Sequence, residues 1–166
     1  MKNNKIFKLH ANLRKKYGHP KGQWTLWYKR PKTQKETEEV IIGAILTQRA
    51  NWKNVELAMK NLKKARINSL KKILSNKIRL VSCIRPSGFY KQKGEYLHNL
   101  AKFIVGKYGS VREMKKQPLL KLRQELLRVK GIGPETADSI LLYALEKPVF
   151  VIDEYTRRLL RAKRIA

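Results

Sequence analysis

The chain has 166 residues, enough for one domain or two small lobes, and its 42% apolar content suffices for a core. With 39 Lys and Arg against 12 acids the formal net charge is +27, a repulsion that asks for a polyanion nearby and points to nucleic acid. No stretch is apolar for long enough to span a bilayer, residues 1–5 lack the apolar run of a secretion leader, and the single Cys83 excludes an internal disulfide or a multi-cysteine iron–sulfur site. A cytoplasmic protein with no cofactor and no membrane partner is therefore expected. A ribosome-associated protein or a very basic proteome would give the same charge. His10, His19 and His98 show no metal-ligand spacing.

The predicted elements are all helical. Residues 1–35 hold 11 Lys and Arg and no acid. In them Ile6, Leu9, Leu13 and Tyr17 mark one face of a first helix that stops near Gly18. Residues 19–32, with His19-Pro20, Gly22 and Pro31, read as a loop. Thr33 and Glu36 suit a capping box for a helix through residues 40–46, apolar nearly all round and so expected to be the buried central one. Asn51 suits the N-cap of the next helix, with Val55, Leu57, Ala58 and Leu62 facing inward, and Ser69 suits another start. A short apolar segment, 78–84, ends before Pro86.

Gly88 opens a helix whose inner face is Leu97, Leu100, Ala101, Ile104 and Tyr108. Ser110 and Glu113 suggest a second capping box, and Pro118 suits the first turn of a helix carrying Leu119, Leu122, Leu126 and Leu127. Pro134 likewise suits the start of a helix through Ile140, Leu141 and Leu145, which Pro148 breaks. The chain then runs extended over 149–152, and the last helix begins at Asp153 or Glu154.

Two segments carry chemistry. In Val129-Lys130-Gly131-Ile132-Gly133-Pro134-Glu135-Thr136-Ala137, two glycines let backbone approach a phosphate and Ile132 locks the turn into the core. The following helix aims N–H groups at the same point, and Lys130 and the Thr136 hydroxyl can add contacts. A merely tight helix–helix connection would show the same two glycines. Downstream, Val151-Ile152-Asp153 sets one carboxylate at a helix start, where it serves equally as an N-cap.

Residues 126–138 resemble the helix-hairpin-helix of the DNA glycosylase superfamily that includes endonuclease III. Val151-Ile152-Asp153-Glu154-Tyr155, with Arg158 five residues past the acid, is similar to that family's aspartate segment. Gly43-Ala44-Ile45-Leu46-Thr47-Gln48 with Asn51-Trp52-Lys53-Asn54-Val55 resembles its buried helix and pocket loop. Arg85-Pro86-Ser87-Gly88-Phe89-Tyr90 with Lys93 resembles its central turn. The pattern is nearest to the branch of 3-methyladenine glycosylases that lack the cluster.

The resemblance implies an all-α, two-lobed glycosylase fold. Residues 1–35 form a basic N-terminal helix and loop, and 36–166 the glycosylase domain, with the hairpin at about 126–142 and the catalytic segment at 149–160. Family members usually continue with further helices, so an unfinished second lobe, covered by a partner or a second copy, is an expectation. The implied partner is double-stranded DNA with a damaged base. Asp153 would stabilise the positive charge that builds on the sugar and take a proton from water.

In bifunctional members a lysine attacks the sugar from the position that Glu135 occupies here, 18 residues before Asp153, and a carboxylate forms no Schiff base. A monofunctional glycosylase with water as nucleophile follows. The base pocket is expected from Trp52 first, with Gln48, Trp27, Trp24 and Glu135, because electron-rich rings favour a cationic alkylated purine. Trp24 and Trp27 also suit a cover over the core, and Gln48 a helix cap or a plug for the emptied stack. DNA contacts fall to Lys130, Gly131, Ile132, Gly133, Thr136 and Arg158. The resemblance further implies a monovalent cation at the carbonyls of Leu127, Val129 and Ile132. The rival readings are a non-catalytic helix-hairpin-helix DNA-binding module and a bifunctional glycosylase/lyase using another lysine.

Overall fold

The run Val40 to Leu46, without one charged residue, has no polar face to offer water, and it becomes the centre of the molecule. In a computed structural model describing residues 4–165, helix α3 (Gln34–Leu46) buries all seven of these residues. Thr33 and Glu36 form the expected reciprocal capping box at its start. Around α3 pack α4 (Trp52–Lys64), α7 (Tyr90–Tyr108), α8 (Val111–Lys115), α10 (Pro134–Ser139) and a wide turn, Ile140–Ala144, that continues α10. Helices α5 (Leu70–Ser75) and α6 (Lys77–Cys83) close onto α7, and α9 (Leu119–Leu127) pairs with α10. The described residues contain no strand. Residues 1–3 of the lysine-rich opening lie outside the described residues, as does Ala166.

Caps follow their chemistry. Asn51, Ser69, Ser110 and Asp153 each accept a backbone N–H three residues on. The expected box at Ser110 is only half made. Glu113 turns to the Lys116 ammonium instead, 2.8 Å away, a stronger partner for a carboxylate than a solvated amide. The segment read as a loop contains a short turn, Gly22–Trp24, and a one-turn helix α2 (Thr25–Tyr28), held by tertiary contacts rather than by propensity.

One inward assignment is also corrected. Leu57 is 49% exposed and Met59 takes the buried place. Ile78 stands in water at the start of α6, whose inward residue is Leu80. The apolar face of α1 (Asn4–Tyr17) leaves Ile6 and Tyr17 exposed and Leu9 and Leu13 half-buried, because no other helix among the described residues packs closely on it. No helix among the described residues is long and apolar enough to cross a membrane.

Candidate active site and nucleic-acid interface

The turn between α9 and α10 is tied from three directions. Ile132 is buried, and its N–H donates to the Val129 carbonyl at 3.0 Å, so that oxygen already serves the turn. Gly131 has φ +97°, and a Cβ there would lie 2.1 Å from the Tyr96 ring: the ring packs flush on bare backbone. Gln48, at the end of α3, donates from Nε2 to the Gly131 carbonyl (3.1 Å) and to Thr136 Oγ1 (3.0 Å). Gln48 therefore clips the central helix to the hairpin, and the Thr136 hydroxyl, in a nearly buried residue, is engaged by it rather than offered outward. The N–H groups of Gly131 and Gly133 have no acceptor among the described residues, and the space around Gly133 is open. Lys130 stands outside the turn and pairs with Glu95 at 2.9 Å. Both partners are well exposed, so the pair is one that a phosphate can replace.

Helix α11 (Glu154–Ala162) starts at Asp153, whose Oδ1 accepts the Thr156 N–H at 2.7 Å. Its second oxygen takes no hydrogen bond among the described residues, and no cation lies in ion-pair range. The other aspartate, Asp138, is nearly buried and held by Arg123 through two bonds of 2.7 and 3.1 Å, so it is committed to the fold. The charge of Asp153 is felt in two directions. Glu135, on the rim of the hairpin, has its carboxyl raised first by desolvation and then by Asp153, against the pull of Arg157. The Tyr143 phenol is pushed up to about 12 by burial, the neighbouring Tyr28 and, more weakly, Asp153. The acid is thus near enough to Glu135 and to Tyr143 to act on both.

Between hairpin and α7 runs a groove of about 610 Å³, lined by Gln48, Arg49, Phe89, Tyr96, Gly131, Gly133, Glu135 and Arg157 among others. Asp153 is not among the residues that line it, but its backbone carbonyl accepts the N–H of the groove residue Arg157, one helical turn on, at 3.0 Å. Arg49 and Phe89 both hold positive φ, at 48° and 45°, a conformation unusual for such side chains, and both are exposed. A larger hollow of about 990 Å³ lies beside Trp27, Tyr28 and Trp52 and includes neither hairpin residues nor Asp153. Size therefore does not mark the chemistry here.

The tryptophans divide. Trp27 is buried against Gly43 and belongs to the core. Trp24 is 37% exposed and Trp52 half-buried, with centroids 5.9 Å apart and planes at 30°. Tyr143 closes the group at 5.4 Å from Trp27 and 6.5 Å from Trp24. Trp52 Nε1–H is buried without an acceptor among the described residues. Arg158 pairs with Glu154 on the exposed side of α11.

Arg49, Phe89, Tyr96 and Arg157 were not singled out from sequence. Only Arg157 carried a readable signal, one helical turn past Asp153. Lys93, quoted for the central turn alone, proves to be 2% exposed and donates to the carbonyls of Leu46 (2.8 Å) and Ser87 (2.6 Å). Desolvation lowers its ammonium to about 8. Among the described residues no three His, Cys, Asp or Glu side chains gather as metal ligands would.

Comparison with known proteins adds independent findings. Residues 42–166 match the family described as HhH-GPD superfamily base excision DNA repair protein. A Methanocaldococcus jannaschii protein named as a DNA repair glycosylase is 46% identical over 166 residues, 96% of this chain and 71% of its own length. Endonuclease III of Thermotoga maritima is 30% identical over 131 residues, 78% of this chain and 58% of its own. The crystal structure of the H. pylori 3-methyladenine DNA glycosylase MagIII, bound to 1,N6-ethenoadenine, superposes with a TM-score of 0.77 at 35% identity. That alignment covers 95% of this chain and 71% of the neighbour.

Proposed function

The chain belongs to the HhH-GPD superfamily of base excision DNA repair proteins, and from that premise we propose that it is a monofunctional DNA glycosylase acting on alkylated purines. The observation that carries the chemistry is the setting of Asp153. Its carboxylate is held by the N-cap bond of α11, has no cation partner among the described residues, and is near enough to act on both Glu135 and Tyr143.

The hairpin's free N–H groups receive a backbone phosphate, and the target nucleotide leaves the stack. As the bond from C1′ to the base breaks, its electron pair leaves with the base, and positive charge on the sugar is stabilised by Asp153. Water then bonds to C1′ and gives its proton to the same carboxylate. The product is an intact strand with an abasic sugar.

The lyase alternative needs an amine at the sugar. The hairpin offers Glu135, and the amine of Lys93 is buried and spoken for by two carbonyls. MagIII, to which the chain is similar, is named for 3-methyladenine, which supports the same substrate class here. An alkylated purine carries positive charge, which aromatic faces favour by about 0.5–2 kcal/mol. A base between Trp24 and Trp52 needs planes about 7 Å apart, two van der Waals contacts. At 5.9 Å the pair is too close to hold a base as it stands, so stacking there requires the two rings to separate.

The test is base release from methylated duplex by wild type and by Asp153→Asn. Wild type frees methylated purine and leaves an alkali-sensitive, unbroken strand, while the variant binds DNA and frees nothing. Equal release by both proteins refutes the catalytic role. A borohydride-trapped covalent adduct refutes the monofunctional reading.

A further inference from the structure

Arg157 lines the groove beside Glu135, and α11 carries it onward. Arg161 follows four residues on, which the helical period places on the same face, and Arg164 lies in the turn just past the helix end, at φ +49°. The turn persists to Arg164, whose N–H donates to the Arg161 carbonyl at 3.0 Å. All three are exposed, and none enters an ion pair among the described residues, whereas Arg158 is neutralised by Glu154. Among the described residues no other helix packs closely on α11. Three like charges on one turn-spaced stripe repel one another and lower helix stability unless an anion lies along them.

Resting on the glycosylase reading, we propose that Arg157, Arg161 and Arg164 form a phosphate track. The hairpin grips the DNA backbone on one flank of the extruded nucleotide, and α11 grips it on the other, with Asp153 between. From Arg157 to Arg161 the helix rises about 6 Å, and Arg164 in the turn beyond extends the stripe, a reach that suits two to three phosphates of one strand at about 3.4 Å of axis each. The track reads no bases, since guanidinium groups meeting phosphate carry no sequence information. Nucleic acid is favoured over an anionic lipid surface because the stripe is continuous with the groove through Arg157.

The experiment measures, with the full chain, the affinity for an unmodified 20-base-pair duplex across NaCl concentrations. R157Q/R161Q/R164Q is expected to lower the slope of log K against log[NaCl] by about 2–3, near 0.9 per lost phosphate contact. The triple lysine variant keeps the slope, and circular dichroism of both matches wild type. A control, K71Q/K72Q on α5, leaves the slope in place. An unchanged slope in the triple glutamine variant overturns the track, as does an equal loss in the control, which would mean diffuse charge alone. Loss of binding to phosphatidylserine vesicles with an unaltered DNA slope would reassign the stripe to lipid. Base release separates the two proposals. A wild type that frees no base while the triple variant loses slope sinks the glycosylase reading and leaves the track standing.

Discussion

Gly131 and Gly133 sit two residues apart, yet a methyl group added to each meets opposite surroundings. At Gly131 it would strike the Tyr96 ring at 2.1 Å, on a backbone already at φ +97°. Left-handed strain and overpacking add, so Gly131→Ala should lower unfolding stability by about 2–5 kcal/mol. Gly133 has φ −87° and open space, so Gly133→Ala should melt within about 0.5 kcal/mol of wild type. Its methyl instead stands where a phosphate would approach, and affinity for duplex DNA should fall. Thermal melts and fluorescence anisotropy of the two variants check this: a Gly133→Ala protein that binds DNA normally removes the hairpin from the interface. Asp153 allows a similar separation. Asparagine caps a helix about as well as aspartate, so Asp153→Asn should keep stability within a few tenths of a kcal/mol, while Asp153→Ala also loses the Thr156 bond, costing about 1 kcal/mol. Both should abolish base release. Chemical denaturation run beside the activity assay then distinguishes a held acid from a cap alone.

Between elements, Lys93 is the clearest tie, joining the end of α3 at Leu46 to the turn at Ser87. Burial lowers its ammonium from 10.5 to about 8. Between those values the unfolded chain keeps a proton that the folded chain has released, so stability rises with pH across that window. Lys93→Met cannot titrate, and the stability gap should move toward wild type by on the order of 2–3 kcal/mol from pH 8 to 10.5. Urea titrations of both proteins at several pH values measure it, and a constant gap would show that Lys93 does not titrate in the window. Such ties explain which parts of the fold were legible in the sequence. Local chemistry was: the caps at Thr33, Asn51, Ser69 and Asp153, the apolar run of α3, and the paired glycines with proline at a helix start. Periodicity told which side of a helix is apolar but not what would cover it, so Leu57 was misassigned and the apolar face of α1 gave no sign that it stays largely uncovered. The Tyr96 ring on Gly131, the Gln48 clip and the groove wall of Arg49 and Arg157 join residues far apart in the chain, where no local pattern exists to read.

The whole molecule carries +27, and its two loosely packed helices are basic at their ends. Charge of one sign held in a compact body destabilises it, and that repulsion is screened as the Debye length shrinks from about 30 Å at 0.01 M salt to about 8 Å at 0.15 M. The free protein should therefore melt higher as NaCl rises over that range, by a few degrees if screening recovers about 1 kcal/mol. Duplex DNA acts on the same charge by binding the folded state. At 100 times its dissociation constant it should add about 2.7 kcal/mol at low salt. That increment must shrink as NaCl rises, because releasing counterions from DNA gains less entropy into a saltier solution. The two salt dependences thus have opposite signs: NaCl raises the melting temperature of the free chain and lowers the extra stability conferred by DNA. Calorimetric scans with and without duplex should show curves that converge near 0.5 M NaCl. A free-protein melting temperature that falls with salt would mean that internal ion pairs such as Lys115–Glu146 and Arg123–Asp138, rather than net repulsion, dominate the electrostatics of the fold.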